Sequence, residues 1–422
     1  MTTKKYAGVW HFPKKDKTET KAKSYPGLLT ISELGKILLE FTLPRTVIEE
    51  ELTEINQNIY RINSQIPIPI IHAKVKNSES LNEVDFTLTD LVMVAYSQSG
   101  LTRIVLEAAH AITNFNPCSG NPLIFQTTMV KIEGMDSWLN INGFDIKSSR
   151  HSKKFATNIK FTQPKPFDIV KTENEHLYFY FRATSPMFAY SNEVTIKQSI
   201  YLNWETETLH TLNESAAFAE KIQNFFTFIS FGSRKRLGHE LRMLKEKYNS
   251  KKPGTYLNHE VFYSEKFSNT TENFDQERFD FLFKYTSFEE RSLLIIAKWL
   301  EIYEKYKIAF DQYFDMKYAA SSHHTSSLIT LTSVLEILYV KYFNDDPRDL
   351  ARKLNNLIQA KSTVFDLLPI SRNNLIEQIV TVRKYFVHGN QARQHFDLNN
   401  TTSTNLILIN RQLENVFRVY IA

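Results

Sequence analysis

The sequence predicts an α+β protein, with a β-rich antiparallel amino-terminal domain followed by an all-α carboxy-terminal helical bundle. Three observations predict it. Over the first half, short segments rich in Ile, Val, Phe, Tyr and Thr are separated by Asn, Ser, Pro and Gly clusters, as strands are by turns. Beyond about residue 288, apolar residues recur at helical spacing with few breakers. Between the two, Thr211 and Glu214 stand three apart, the pattern of a capping box at a helix start. The expected divisions are 1–210 for the β-rich domain, 211–287 for a helical linking region with a basic stretch, and 288–422 for the bundle. A chain of 422 residues has room for two or three domains and a sizeable core.

Taken in order, segments 28–32 and 36–43 flank Glu33-Leu34-Gly35 as the arms of a hairpin. Further strands are expected over 66–75, 85–97, 123–133, 176–183 and 194–204. Segment 101–113 is ambiguous, because Ala108-Ala109-His110-Ala111 favours helix inside a β-rich context. Trp10, Trp138 and Trp204 read as core of this domain. After the capping box, Phe218, Ile222, Phe225, Phe226 and Ile229 recur at the spacing of a buried helical stripe. In the bundle, 291–318 reads as one long amphipathic helix and 324–343 as a second. Asp346-Pro347 supplies an N-cap residue followed by proline at the first helical position, opening a helix to about 360. A fourth helix, 371–388, is stopped by Gly389, and a fifth covers 402–420. Short links between them imply an up-down arrangement.

Composition excludes several chemistries. Only 11 glycines are present; no two are two apart, so no GxGxxG loop can be written, and Gly232 and Gly238 have five residues between them rather than the four of a P-loop. The single cysteine, Cys118, allows no intramolecular disulfide and no multi-Cys zinc site. His259-Glu260 is not followed by the second His of an HExxH motif. No cofactor and no metal are expected. The start of the chain lacks the apolar core of a signal peptide, and no uncharged apolar run approaches the roughly 18 residues of a membrane span, so a cytoplasmic protein without a membrane partner is expected. The net charge of +5 is small but uneven. Residues 233–253 hold eight Lys/Arg against two Glu, and residues 1–30 hold seven Lys against two acids. Such local excess suits a polyanion, with Arg234, Lys235 and Arg236 as backbone contacts; plain solvated surface is the ordinary alternative.

The segment that carries chemistry is 376–390, IEQIVTVRKYFVHGN. Arg383 is a permanent cation with a planar fork suited to phosphate. His388, five positions on, can exchange a proton near neutral pH. Cleavage of an RNA phosphodiester without metal needs one group to take the 2′-hydroxyl proton and another to neutralise charge gathering on the phosphoryl oxygens. Residues five apart lie about 140° around an ideal helix, so the pair converges only if the last turn loosens before Gly389. Lys384 and His388, at i and i+4, do share a face, and Lys384 is a second phosphate contact. Asn390 either contacts phosphate or finishes the turn. The plainer reading is that Arg and His in a last turn only complement the helix dipole. Glu336, the one charged residue of 331–340, is either a buried acid near the cleft or the polar face of its helix, the second being the plainer reading, and His323-His324 reads as surface or cap.

Helices closed by Arg383-x4-His388-Gly389, with one more helix after them and SSLITLTSVLEILYVKYF before, resemble the HEPN superfamily. The segments YAGVWHFP, YPGLLTIS, LGKILLEFTL and MVKIEGMDSWL look like the β-rich amino-terminal domain of the ApeA family of HEPN proteins. The resemblance implies a metal-independent endoribonuclease acting in bacterial defence against phage by abortive infection, with tRNA as one RNA class it could cut. It implies a sensor or regulatory role for the β-rich domain, a phage-derived trigger, and a homodimer or higher even-numbered assembly that pairs two Arg/His sets. Carried over, Arg383 is the phosphate-stabilising cation and His388 the proton-transfer group. Many active members place Asn, Asp or His directly after the Arg, where this chain has Lys384. Two other readings stay open: a non-catalytic nucleic-acid-binding protein, and a dimeric scaffold that binds protein or carbohydrate.

Overall fold

The computed structural model describes residues 3–11, 24–32, 35–44, 68–77, 83–99, 101–115, 123–151, 154–184, 195–230, 232–244, 256–263, 281–319, 323–362, 372–388 and 403–421. The chain divides into two compact units, residues 1–223 with 235–266, and residues 224–234 with 267–422.

The first unit is antiparallel β throughout. Strands β1 (Lys4–His11), β2 (Ser24–Ile31), β3 (Ile37–Pro44), β4 (Ile68–Asn77), β5 (Glu83–Ser99) and β6 (Leu101–Thr113) close into a six-stranded barrel. Its ring runs β6-β3-β2-β1-β4-β5 and returns from β5 to β6. Alternation drives it: Tyr6 and Trp10 of β1 point inward with Leu29, Leu39, Ile71, Val75, Phe86 and Leu88, all buried. Gly8 lies where β1 and β4 approach so closely that a Cβ would sit 2.6 Å from Val75 Cγ1. The β2–β3 turn is the expected one, with Gly35 at φ 80°. Segment 101–113, ambiguous in sequence, is strand β6: long-range pairing to β3 and β5 overrides its local helix preference.

The end of β6 passes from β3 to a second array. It pairs with β14 (Tyr256–Tyr263), and the sheet continues through β13 (Arg236–Leu244), β7 (Ile124–Ile132), β12 (Lys197–Thr211), β11 (Glu175–Thr184) and β10 (Phe167–Lys171). A separate ribbon, β8 (Phe144–His151) with β9 (Lys154–Phe161), exposes the facing pair Ile146 and Ile159. Short helix α1 (Met135–Leu139) buries Trp138 near Phe179. Helix α2 (Leu212–Ile229) opens with the expected capping box: Glu214 N–H donates to Thr211 Oγ1 at 3.2 Å, and Thr211 N–H donates to Glu214 Oε2 at 2.7 Å. Its Phe218, Ile222, Phe225, Phe226 and Ile229 are buried. The expectation of a helical linking region over 211–287 is corrected beyond this helix, because residues 236–263 hold two strands of the sheet. The charges of β13 alternate with His239, Leu241 and Met243, a period of two rather than a solvated run.

The second unit is helical: α3 (Tyr285–Phe288), α4 (Glu290–Lys305), α5 (Lys307–Tyr318), α6 (His324–Phe343), α7 (Leu350–Ala360), α8 (Arg372–His388) and α9 (Ser403–Ile421). The single helix expected over 291–318 breaks at Tyr306, whose φ of −108° and ψ of 16° leave the helical region. An aromatic core of Trp299, Tyr303, Phe310, Phe314 and Phe417 includes Phe225 and Phe228. The N-cap expected at Asp346 falls instead at Asp349, which accepts from Ala351 N–H at 3.1 Å; Asp346 is engaged by Lys353. Helix α6 is the one helix among the described residues long and apolar enough to cross a membrane. In this unit its Leu328, Leu331, Val334, Leu335 and Leu338 are buried core.

Candidate functional site

Helix α8 buries Leu375, Ile379 and Val382, a stripe at 3.6-residue spacing. Arg383 follows Val382 at the edge of that stripe, so its side chain runs along the bundle with 29% exposure. Glu336 stands likewise at the edge of the buried stripe of α6, at 23% exposure. The two edges meet: Arg383 Nη2 donates to Glu336 Oε2 at 2.7 Å. The other carboxylate oxygen, Glu336 Oε1, lies 3.7 Å from Nζ of Lys353 on α7. Lys353 is 8% exposed and donates to Asp346 Oδ1 at 2.6 Å. Three helices and the link between α6 and α7 thus hold a chain of alternating charges, Arg383–Glu336–Lys353–Asp346. Of the five N–H donors of Arg383, Nε is buried with no acceptor among the described residues.

His388 is the last residue of α8, five positions beyond Arg383. Lys384 is exposed, one position beyond Arg383. Asn390 lies outside the described residues, as does Gly389. Among the described residues no three His, Cys, Asp or Glu converge as metal ligands would.

The remaining predicted contacts are set apart in the sequence of the fold. In the first unit, Lys235 is exposed, while Arg236 is buried at 9%. Its guanidinium stacks 3.8 Å from the ring centroid of Tyr263, and Nη2 donates to Gln223 Oε1 at 3.2 Å. In the second unit, Arg234 is buried at 9%; its Nε donates to Ser230 Oγ at 3.0 Å, and its backbone N–H donates to Thr227 Oγ1 at 3.0 Å. The expectation of three solvated phosphate contacts is corrected for these two arginines, whose guanidiniums are consumed inside the fold. Near Arg236 a buried polar chain ties α2 to the sheet. Ser215 Oγ is 2.8 Å from His239 Nε2, Thr128 Oγ1 donates to Ser215 Oγ at 2.7 Å, and Thr128 Oγ1 is 2.8 Å from His210 Nε2. Burial pushes His210 down to about 4 against the opposing pull of Glu214, and burial together with Arg236 holds His239 well below the usual imidazole range.

Sequence reasoning did not find the ion pairs that join Glu336 to Arg383 and to Lys353. A lone acid in the apolar run 331–340 was the available signal for the first, since a charge rarely sits beside a core stripe unpaired. Lys353 carried no signal, being an ordinary cation on an amphipathic helix.

The comparisons divide the chain near residue 294, inside helix α4, rather than where the two units part. Residues 5–299 match the family described as ApeA N-terminal domain 1, and residues 294–422 match the family described as Apea-like HEPN. No curated protein and no solved structure matches the chain.

Proposed function

We infer, from the premise that this chain belongs to the ApeA family of HEPN proteins, that it is an endoribonuclease of anti-phage defence whose reaction is carried by Arg383 and His388. The family supports a place in defence and a nuclease role at the level of the fold. The observation that carries the finer reading is the state of Arg383. It is a permanent cation, half-buried; among the described residues it donates to one carboxylate, and its Nε has no acceptor. Such a guanidinium is under-satisfied, and a phosphoryl group is the acceptor whose geometry fits its fork.

In the proposed reaction, Arg383 turns from Glu336 onto the scissile phosphate and neutralises charge developing on its non-bridging oxygens. His388 takes the 2′-hydroxyl proton; the 2′-oxygen attacks phosphorus as the bond from phosphorus to the 5′-oxygen breaks, and the 5′-oxygen takes a proton from water while His388 releases its own to solvent, giving a 2′,3′-cyclic phosphate and a 5′-hydroxyl end. Exposed Lys384 adds positive potential beside the pair. No metal is required by this sequence of steps. Asn390, tRNA as a substrate class, a phage-derived trigger acting through the β-rich unit, and a homodimer that joins two Arg/His sets belong to the same proposal.

The test is incubation of the purified protein with total RNA, with and without EDTA, followed by analysis of the fragment ends. Cleavage that survives EDTA and leaves cyclic phosphate supports the reading. Cleavage abolished by EDTA and restored by a divalent ion would replace it with metal-assisted chemistry.

A further inference from the structure

Arg383 faces two demands that conflict. It must be held in place before substrate arrives, and it must leave its holder to meet a phosphate. A carboxylate alone satisfies the first and opposes the second, because a charge-assisted pair on a half-buried helix edge is hard to break. The geometry around Glu336 resolves the conflict. Its two oxygens are divided: Oε2 takes Arg383 at 2.7 Å, and Oε1 faces Lys353 Nζ at 3.7 Å. Lys353 is 8% exposed, so solvent screens it little, and its own hydrogen bond goes to Asp346, which is 70% exposed and so well solvated.

We infer that Lys353 is a positioning residue for Arg383: it draws on Glu336 from the second oxygen, weakens that carboxylate's hold on the guanidinium, and neutralises it once Arg383 has moved to a phosphate. The inference rests on the proposed role of Arg383 as a phosphate-binding cation. Lys353 itself touches no substrate in this scheme. Two features support it. Lys353 already has a 2.6 Å partner in Asp346, so it does not need Glu336 for its own burial. Glu336, at 23% exposure, would be left a half-buried anion with no cation if Arg383 departed and Lys353 were absent.

The experiment is a double-mutant cycle read by binding of inorganic phosphate to the full chain, with RNA turnover measured in parallel. Four proteins are compared: wild type, Lys353→Gln, Glu336→Gln and the double variant. Arg383→Ala serves as the control that phosphate binding depends on Arg383. Loss of Lys353 tightens the Glu336–Arg383 pair, so Lys353→Gln is expected to weaken phosphate on the order of tenfold, the usual size of coupling within one charge network. In the Glu336→Gln background the same change is expected to do nothing, because no carboxylate remains to grip Arg383. Lys353→Arg keeps the charge and is expected to bind as wild type; it carries the test if Lys353→Gln does not fold. Equal weakening in both backgrounds would mean that Lys353 acts only through its field at the phosphate, and would overturn the inference. So would unchanged binding in Lys353→Gln, or phosphate binding indifferent to Arg383→Ala. If wild type shows the expected coupling to phosphate but cuts no RNA, the ribonuclease reading fails while the positioning role stands.

Discussion

Glu336 of helix α6 accepts a 2.7 Å hydrogen bond from Arg383 of helix α8, joining residues 47 positions apart. The pair explains why removing Arg383 is a clean test of chemistry. When the guanidinium is deleted, Glu336 keeps Lys353 at 3.7 Å, so no buried charge is stranded. Arg383→Ala and His388→Ala are each expected to lower RNA cleavage by at least about a hundredfold, the scale of losing an electrostatic stabiliser or a general base. Circular dichroism and the unfolding midpoint should change little. Wild-type cleavage by folded His388→Ala would remove His388 from the mechanism.

The fold was legible where one residue pattern controls one element. Strands β2, β3, β4, β5 and β7, the Thr211–Glu214 box and the apolar stripe of α6 each announce themselves within a dozen residues. Strand β13 was not legible, because Arg236, Glu240 and Arg242 count as a charge run when the period of two is ignored, and a register shift between Arg236 and Gly238 breaks that period at its start. The cap at Asp349 was hidden by the stronger local signal of Asp346-Pro347, which the ion pair with Lys353 diverts. At the site, Arg383 and His388 are visible because they lie on one helix. The partner of Arg383 comes from α6 and the partner of Glu336 from α7, and no local rule connects three helices.

The buried imidazoles of the first unit set an acid limit to its stability. His210 is 4% exposed and titrates at about 4 in the folded chain, against about 6.5 when unfolded. The unfolded chain therefore binds more protons between these values. The stabilising contribution is complete above about pH 6.5 and is lost as the pH falls toward 4, with a scale of about 3 kcal/mol for this group. His239 adds in the same direction. Because Trp204 lies 4.5 Å from the His210 ring, urea titrations followed by the fluorescence difference between wild type and Trp204→Phe should show a midpoint falling from pH 7 to pH 5. A constant midpoint over that range would contradict the buried assignment.

The second unit has a separate and more acidic threshold. Burial favours the neutral form of Glu414, but Lys317 at 2.7 Å and Arg418 at 2.6 Å outweigh it and bring its carboxyl down to about 2. A lowered carboxyl stabilises the fold above its unfolded value near 4.3, and that contribution is lost as the pH falls toward 2. Glu414→Gln is expected to cost about 3 kcal/mol at pH 7, since it leaves the 8% exposed Arg418 without its carboxylate. The cost should shrink below about pH 4.3, where the unfolded wild-type chain binds a proton at this carboxyl that the folded chain does not. Thermal unfolding of the two proteins at pH 7 and pH 3 measures the difference.

Assembly is expected to use the end of α8. Val387, one position before His388, is 51% exposed, and Leu408 on α9 is 43% exposed. Single exposed apolar residues need no partner, but Val387 directly precedes His388 on the helix that carries Arg383, and a sparse cationic site gains potential when doubled across a two-fold axis. Light scattering is expected to give a dimer or a higher even-numbered assembly at micromolar concentration. Val387→Asp should shift it toward monomer and lower RNA cleavage together. A monomer at every concentration, with full cleavage, would count against a shared cleft.

Arg234, Lys235 and Arg236 are expected to separate under substitution, because the fold treats them differently. Lys235 is exposed, so Lys235→Ser should stay within about 0.5 kcal/mol of wild type in stability. Arg236→Ser removes a guanidinium stacked on Tyr263 and its hydrogen bond to Gln223, and should cost about 2 kcal/mol. Arg234→Ser likewise removes a bond to Ser230 and should destabilise. If the arginines are structural, the log–log dependence of RNA affinity on salt will keep its slope in Arg234→Ser and Arg236→Ser, measured below their unfolding temperatures. A phosphate contact would instead reduce that slope by about one for each residue lost. A reduced slope for Lys235→Ser alone would leave the backbone contact with the one cation of the three that faces solvent.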